Sequence, residues 1–109
     1  MNVLEIASRS GWQIAAEVNT QNTIKGIFTG DLLSWVMGHA QPDDLWVTVQ
    51  AHSNIIAVAV LRELAGIVIA HGSMIEEDTL KTAREEGIPI LLSSQSSADC
   101  IKILAGYGL

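Results

Sequence analysis

Cysteine occurs once in the 109 residues, at Cys100, so no internal disulfide can form and the reducing cytoplasm is the expected setting. Basic side chains are also scarce. Six Lys and Arg, scattered from Arg9 to Lys102, stand against twelve Asp and Glu, for a formal charge of −6. That scatter leaves no basic patch for a phosphodiester backbone, which excludes sequence-independent binding of nucleic acid. Proline is limited to Pro42 and Pro89, and no linker, repeat or low-complexity tract interrupts the chain. The start, MNVLEIASRS, lacks the basic n-region and apolar h-region of a signal peptide. The apolar run Ile55–Leu61 falls far short of a bilayer span, so no membrane contact is expected.

What the chain does contain is apolar residues, 49% of the total, too many for a disordered segment. Residues 1–109 therefore read as one globular domain with its own core. The organising stretch is Leu45–Leu64. A short β-branched strand, Leu45–Val49, crosses the polar turn Gln50-Ala51-His52-Ser53-Asn54 into the apolar helix Ile55–Leu64, with Ser53 or Asn54 as N-cap. A strand feeding a helix through a polar turn is half of a βαβ unit, and ligands of open α/β sheets bind at such turns.

The rest of the chain extends that pattern. Asn2–Ser8 reads as a short amphipathic helix capped by Asn2, with Gly11 just past its end. Trp12–Val18 and Thr23–Thr29 read as strands joined by the turn Asn19-Thr20-Gln21-Asn22. Asp31 caps an expected helix Asp31–His39 whose buried stripe is Leu32, Leu33, Val36 and Met37; Trp35 and Trp46, both in apolar company, read as core, with Trp35 alone free to face out because the stripe is already supplied. Gly66–Ala70 is a continuous apolar strand, Glu76–Glu86 a charged helix turning Leu80 and Ala83 inward, Ile88–Leu92 another buried strand, and Ala98–Ala105 a last helix. The alternation predicts an α/β fold: a mostly parallel sheet with helices packed on it.

In such a sheet the turns after the strands share one edge, beside helix N-termini whose free N–H groups attract anions. Gln50, His52, Ser53 and Asn54 are the densest donor and acceptor set there, with His71, Gly72 and Ser94 as expected neighbours in a ligand-binding site. Catalytic templates are missing. There is no GxxxxGK[ST], GxGxxG after a strand, HExxH, CxxC or GxSxG. Cys100 reads as a small buried hydrophobe. His39 lies at the far end of its helix, where it caps. His52 and His71 share the ligand edge and are placed to meet, but no cysteine or carboxylate completes a ligand set and no metal is expected.

The order TGDLLSWVMGHAQPDDLWVTVQAHSNIIAVAVLRELAGIVIAHG, then EEDTLKTAREEGIPILLSS, resembles a DRTGG domain from Ile24 to about Ser94. Its marks are the GDLLS helix, the D-x-W-V-T strand, the G-I-V-I strand and E-x-G-I-P-I-L. The motif that names the family is replaced here by Gln50-Ala51-His52-Ser53-Asn54. The resemblance implies a small α/β domain that dimerises. Such domains stand beside CBS domains in regulated pyrophosphatases and occur in phosphotransacetylases. They are similar to the non-catalytic N-terminal region of the kinase acting on the histidine-containing phosphocarrier protein. Stand-alone copies look like those encoded near iron-only hydrogenase subunits. The expected function is then a non-catalytic regulatory or assembly domain, a homodimer able to join a larger enzyme complex. It would bind a small anionic ligand, a nucleotide or phosphometabolite, at the strand-end turns, and no cofactor is specified. Two alternatives are a protein-only adaptor without ligand and an accessory enzyme of phosphoryl transfer that uses His52.

Overall fold

The structure, a computed structural model, describes residues 1–18 and 21–109; the Asn19-Thr20 half of the expected turn lies outside the described residues. The chain runs α1 (Val3–Ser10), β1 (Gln13–Ala16), β2 (Gly26–Thr29), α2 (Leu33–His39), β3 (Asp44–Thr48), α3 (Asn54–Leu61), β4 (Gly66–Ile69), α4 (Glu77–Glu86), β5 (Ile90–Leu92) and α5 (Ser97–Gly106). Strand order in the sheet is β1-β5-β4-β3-β2. Strands β2 to β5 are parallel, as the alternation of strands and helices requires, and β1 joins the β5 edge antiparallel. The expected α/β class and mostly parallel sheet are what the molecule has.

Period-two alternation along the strands sorts their side chains into two cores. Trp46, Ile67, Ile69 and Ile90 point toward α2, α3 and α4, where Val36, Ile55, Ile56, Ala59 and Ala83 close over them. Leu45, Val47, Val68 and Leu91 point the other way, toward Val3 and Ile6 of α1 and Cys100 and Leu104 of α5. Every residue of β3 and β4 is buried, which is why both read as apolar runs rather than alternating ones. Asn2 caps α1 through a reciprocal capping box with Glu5, and Gly11 ends that helix in the left-handed conformation.

Several expected boundaries move for local reasons. Asp31 does not cap α2: the helix begins at Leu33 behind Leu32, with no side-chain cap, because the Asp31 carboxylate is bonded to the neighbouring strand end. Leu32 is 67% exposed, so of the expected stripe Val36 alone is fully buried and Leu33 and Met37 are half-buried. Trp35 is 56% exposed and so does not join the core that its apolar company suggested; it takes the outward alternative, stacked on His39 with ring centroids 3.7 Å apart. Helix α3 stops at Leu61, three residues early, where Glu63 turns to φ 55° and Leu64 N–H bonds back to the Ala59 carbonyl. The strands β1, β2 and β5 are shorter than the apolar runs that suggested them.

One glycine fixes how closely the layers approach. A Cβ at Gly66 would lie 3.0 Å from the Pro89 carbonyl oxygen and 3.0 Å from Val3 Cγ2, so a methyl group where β4 passes under α1 would have to push backbone and a buried side chain aside. Gly66→Ala is expected to destabilise the fold by about 1–3 kcal/mol. At Gly38, inside α2, a Cβ meets nothing within 4 Å, and Gly38→Ala should stabilise by up to about 1 kcal/mol. Urea unfolding of the two variants side by side checks both signs; a Gly66→Ala protein as stable as the wild type would contradict the packing.

Candidate functional site

The four turns that leave the carboxyl ends of β2, β3, β4 and β5 lie along one edge of the sheet, and they are joined in pairs. The Asp31 carboxylate accepts from the Thr48 hydroxyl and from the Val49 N–H, each at 2.9 Å. Gln50 completes this first pair: its Nε2 donates to the Asp31 carbonyl at 3.0 Å, and its N–H donates to Thr48 Oγ1 at 3.2 Å. Gln50 thus stitches the β2 and β3 turns together. His52 serves the start of α3, its Nδ1 lying 3.3 Å from the Asn54 N–H and 3.1 Å from Asn54 Oδ1. An unprotonated Nδ1 accepts from the amide; a protonated one donates to the side-chain oxygen. The hydroxyl of Ser53, the N-cap residue, makes no capping bond, so the imidazole takes that role.

The β4 and β5 turns form the second pair. His71 and Gly72 both adopt positive φ, 61° and 65°, which aims their N–H groups at the neighbouring turn. His71 N–H donates to the Gln95 carbonyl at 2.7 Å, and Gly72 N–H to the Ser93 carbonyl at 2.9 Å. His71 Nε2 accepts from the Ser97 N–H at 3.1 Å and so caps α5 beside the Ser96 hydroxyl, which accepts from Asp99 N–H. Trp12, arriving with β1, donates its indole N–H to Gln95 Oε1 at 2.9 Å. Beneath this turn lies Cys100, whose thiol touches Ser93 and whose pKa is pushed up by burial. The sulfur is held as a neutral thiol, not as a nucleophilic thiolate.

The expected site residues therefore fall into two groups. Gln50, His52, Ser53 and Asn54 gather at the β3–α3 turn, with Gln50, His52 and Asn54 engaged in bonds within the edge. His71 likewise bonds its own neighbours, and no hydrogen bond joins it to His52 among the described residues. Gly72 and Ser94 sit farther along, lining an open cleft of about 510 Å³ at the corner where β4 and β5 end and β1 begins. Trp12, Gln13, Ser73 and Met74 line it too. Sequence reasoning missed Trp12 and Gln13 because β1 reaches β5 through a long-range antiparallel pairing that no local pattern announces, whereas Ser73 and Met74 lie on the β4 turn beside the expected His71 and Gly72. His39 caps the far end of α2 as expected, its Nδ1 donating to the Trp35 carbonyl at 2.9 Å. Among the described residues no three His, Cys, Asp or Glu side chains converge as metal ligands, and no helix is long and apolar enough to cross a membrane.

Comparison with known proteins places this geometry. Among solved structures, the chain is similar to the CBS and DRTGG regulatory region of a Clostridium perfringens pyrophosphatase, complexed with its activator diadenosine tetraphosphate. The two superpose with a TM-score of 0.76 at 10% identity, over 94% of this chain and 45% of that one. This chain therefore spans less than half of that structure, and the likeness is one of fold. No curated protein matches the sequence. The DRTGG domain model matches residues 6–106, nearly the whole length. On that match, and on a sheet and helices arranged as in a DRTGG-containing regulatory region, the chain belongs to the DRTGG domain family.

Proposed function

We propose that this domain is a non-catalytic regulatory or assembly subunit that works as a homodimer and binds a small anionic ligand, a nucleotide or phosphometabolite, along the strand-end edge. The observation that carries the reading is the edge itself: four interlocked polar turns beside helix N-termini, in a family whose solved pyrophosphatase member lies in a regulatory region with a dinucleotide activator bound. The two edge histidines support binding over phosphoryl transfer. Each is held as a helix cap, and neither is aimed with a second titratable group at a shared point. The centre of the site is the Gln50, His52, Ser53 and Asn54 turn, with His71, Gly72 and Ser94 as neighbours. A larger enzyme complex is the partner whose activity such a ligand would control.

His52 tests this reading because its ring is exposed at the edge and an imidazole N–H can donate to an anion. If His52 contacts the anion, His52→Ala weakens binding by roughly 1.5–3 kcal/mol, the scale of a charge-assisted hydrogen bond. Loss of the α3 cap adds a stability change of about 1 kcal/mol, small enough for the fold to survive. Calorimetric titration of both proteins with diadenosine tetraphosphate, ATP and acetyl phosphate separates the outcomes. Equal affinities of wild type and variant would remove His52 from the site, and no binding by the wild type would leave the protein-only adaptor.

A further inference from the structure

We infer that the corner cleft between β1 and the β4 and β5 turns is a pocket for an uncharged, flat heterocycle of the nucleoside class. This inference rests on the ligand-binding reading above and names the part of the ligand that this end of the edge would hold. The first ground is polar groups left unengaged. The side chains of Gln13, Ser73 and Ser94 come from three separate segments and converge on the cleft, yet none makes a hydrogen bond among the described residues. At the β3–α3 turn the reverse holds, since Gln50, His52 and Asn54 are already bonded. Unengaged groups can pair with a ligand without first breaking a protein bond, and unpaired polar groups would otherwise have to stay in water.

The second ground is the chemistry of the walls. No charged side chain lines the cleft, and none of the six Lys and Arg reaches it; Arg9, the nearest along the chain, lies over the Tyr107 ring instead. A phosphate seated here would find no countercharge. An amide and two hydroxyls, each able to donate and accept, suit the mixed donor and acceptor edge of a neutral heterocycle. Trp12 and Leu92 supply apolar wall, and the Trp12 indole is fixed by its bond to Gln95. Met74, 91% exposed at the rim, carries a flexible thioether able to fold onto an aromatic face. The volume of about 510 Å³ falls inside the ~300–1,000 Å³ range of small-molecule sites.

The test is an amide-resolved NMR titration of the intact protein with adenosine, with inorganic pyrophosphate as the charged probe. Adenosine should saturably shift the amides of residues 11–13, 72–75 and 92–94. Ser94→Phe, at an exposed position, should keep the wild-type spectrum elsewhere and lose at least tenfold in affinity. Gln13→Ala, which removes a hydrogen-bonding group without filling space, should lose severalfold. If adenosine at millimolar concentration leaves these amides unmoved, or binds Ser94→Phe as it binds the wild type, the inference is overturned. Pyrophosphate shifts confined to residues 50–54 in that event would preserve the broader ligand reading, whereas no shift with either probe would remove both.

Discussion

Trp46→Ala is expected to cost the domain about 4–8 kcal/mol of stability. Trp46 is fully buried at the middle of β3, beneath α2 and α3, and its indole N–H donates to the Gly30 carbonyl at 2.9 Å. Removing a buried tryptophan costs about 3–5 kcal/mol in lost burial and residual cavity. The orphaned Gly30 carbonyl adds about 1–3 kcal/mol if it stays dry. Domains of this size have roughly 5–15 kcal/mol in total, so the substitution removes much or all of it. Trp46→Phe keeps the ring volume closer and forfeits the hydrogen bond, for an expected loss of about 1–3 kcal/mol. Trp35 provides the contrast: it is 56% exposed, and Trp35→Ala should change stability by no more than about 1 kcal/mol. Urea unfolding curves of the three variants order them; a Trp46→Ala protein within 1 kcal/mol of the wild type would contradict the assignment of the core.

The second large effect is expected at the outer face of α3. This helix is apolar on all sides, NIIAVAVL, but only one side meets the sheet. Its other side presents Ala57, Val60 and Leu61, the last two 41% and 68% exposed, over a groove of about 370 Å³ shared with Thr82 and Glu86 of α4. At α2, Leu32 and Trp35 are exposed as well, at 67% and 56%. In a two-fold pair the same patch is buried twice, which makes a closed homodimer the commonest way to cover such a surplus. Leu61→Arg would place a charge in that interface once from each subunit. Each buried leucine contributes about 1.5–3 kcal/mol, so the pair of changes should weaken dimerisation by roughly 3–6 kcal/mol, a hundredfold or more. The monomer's own fold should be untouched, because Leu61 packs little within it. Sedimentation equilibrium at micromolar concentration is the check: wild type at the dimer mass and Leu61→Arg at the monomer mass are expected, and a monomeric wild type would sink the dimer.

The parts of this architecture that were legible in the sequence are those fixed by local chemistry. Asn2 and Gly11 bracket α1 because a side-chain oxygen and a left-handed glycine act within one turn of chain. The GIVI and LWVT runs announce buried parallel strands because each is covered on both faces. Asp31 misled because an aspartate before a helix reads as a cap, whereas a tertiary partner, the Thr48 hydroxyl seventeen residues on, takes its carboxylate. Leu32 misled for a related reason: once the helix starts at Leu33, the stripe rotates and Leu32 is left outside.

The candidate site was legible as an edge but not as a pocket. Parallel topology alone puts the turns after β2, β3, β4 and β5 on one side, so Gln50, His52, His71 and Ser94 could be placed together without coordinates. Which of their polar atoms remain unengaged depends on bonds between turns, such as Gln50 to Asp31 and His71 to Ser97, that no spacing reveals. The contribution of Trp12 and Gln13 depends on β1 pairing with β5 across more than seventy residues of chain.

The measurement closest to the central claim, a ligand-binding regulatory dimer, is native mass spectrometry of the protein purified without denaturant from its own host. The expected spectrum shows an ion at twice the 11.7 kDa chain mass carrying the added mass of a small molecule, which is stripped off by collisional activation before the subunits part. An unadorned 11.7 kDa monomer, or a chain found only with a larger subunit and no small molecule, would contradict it.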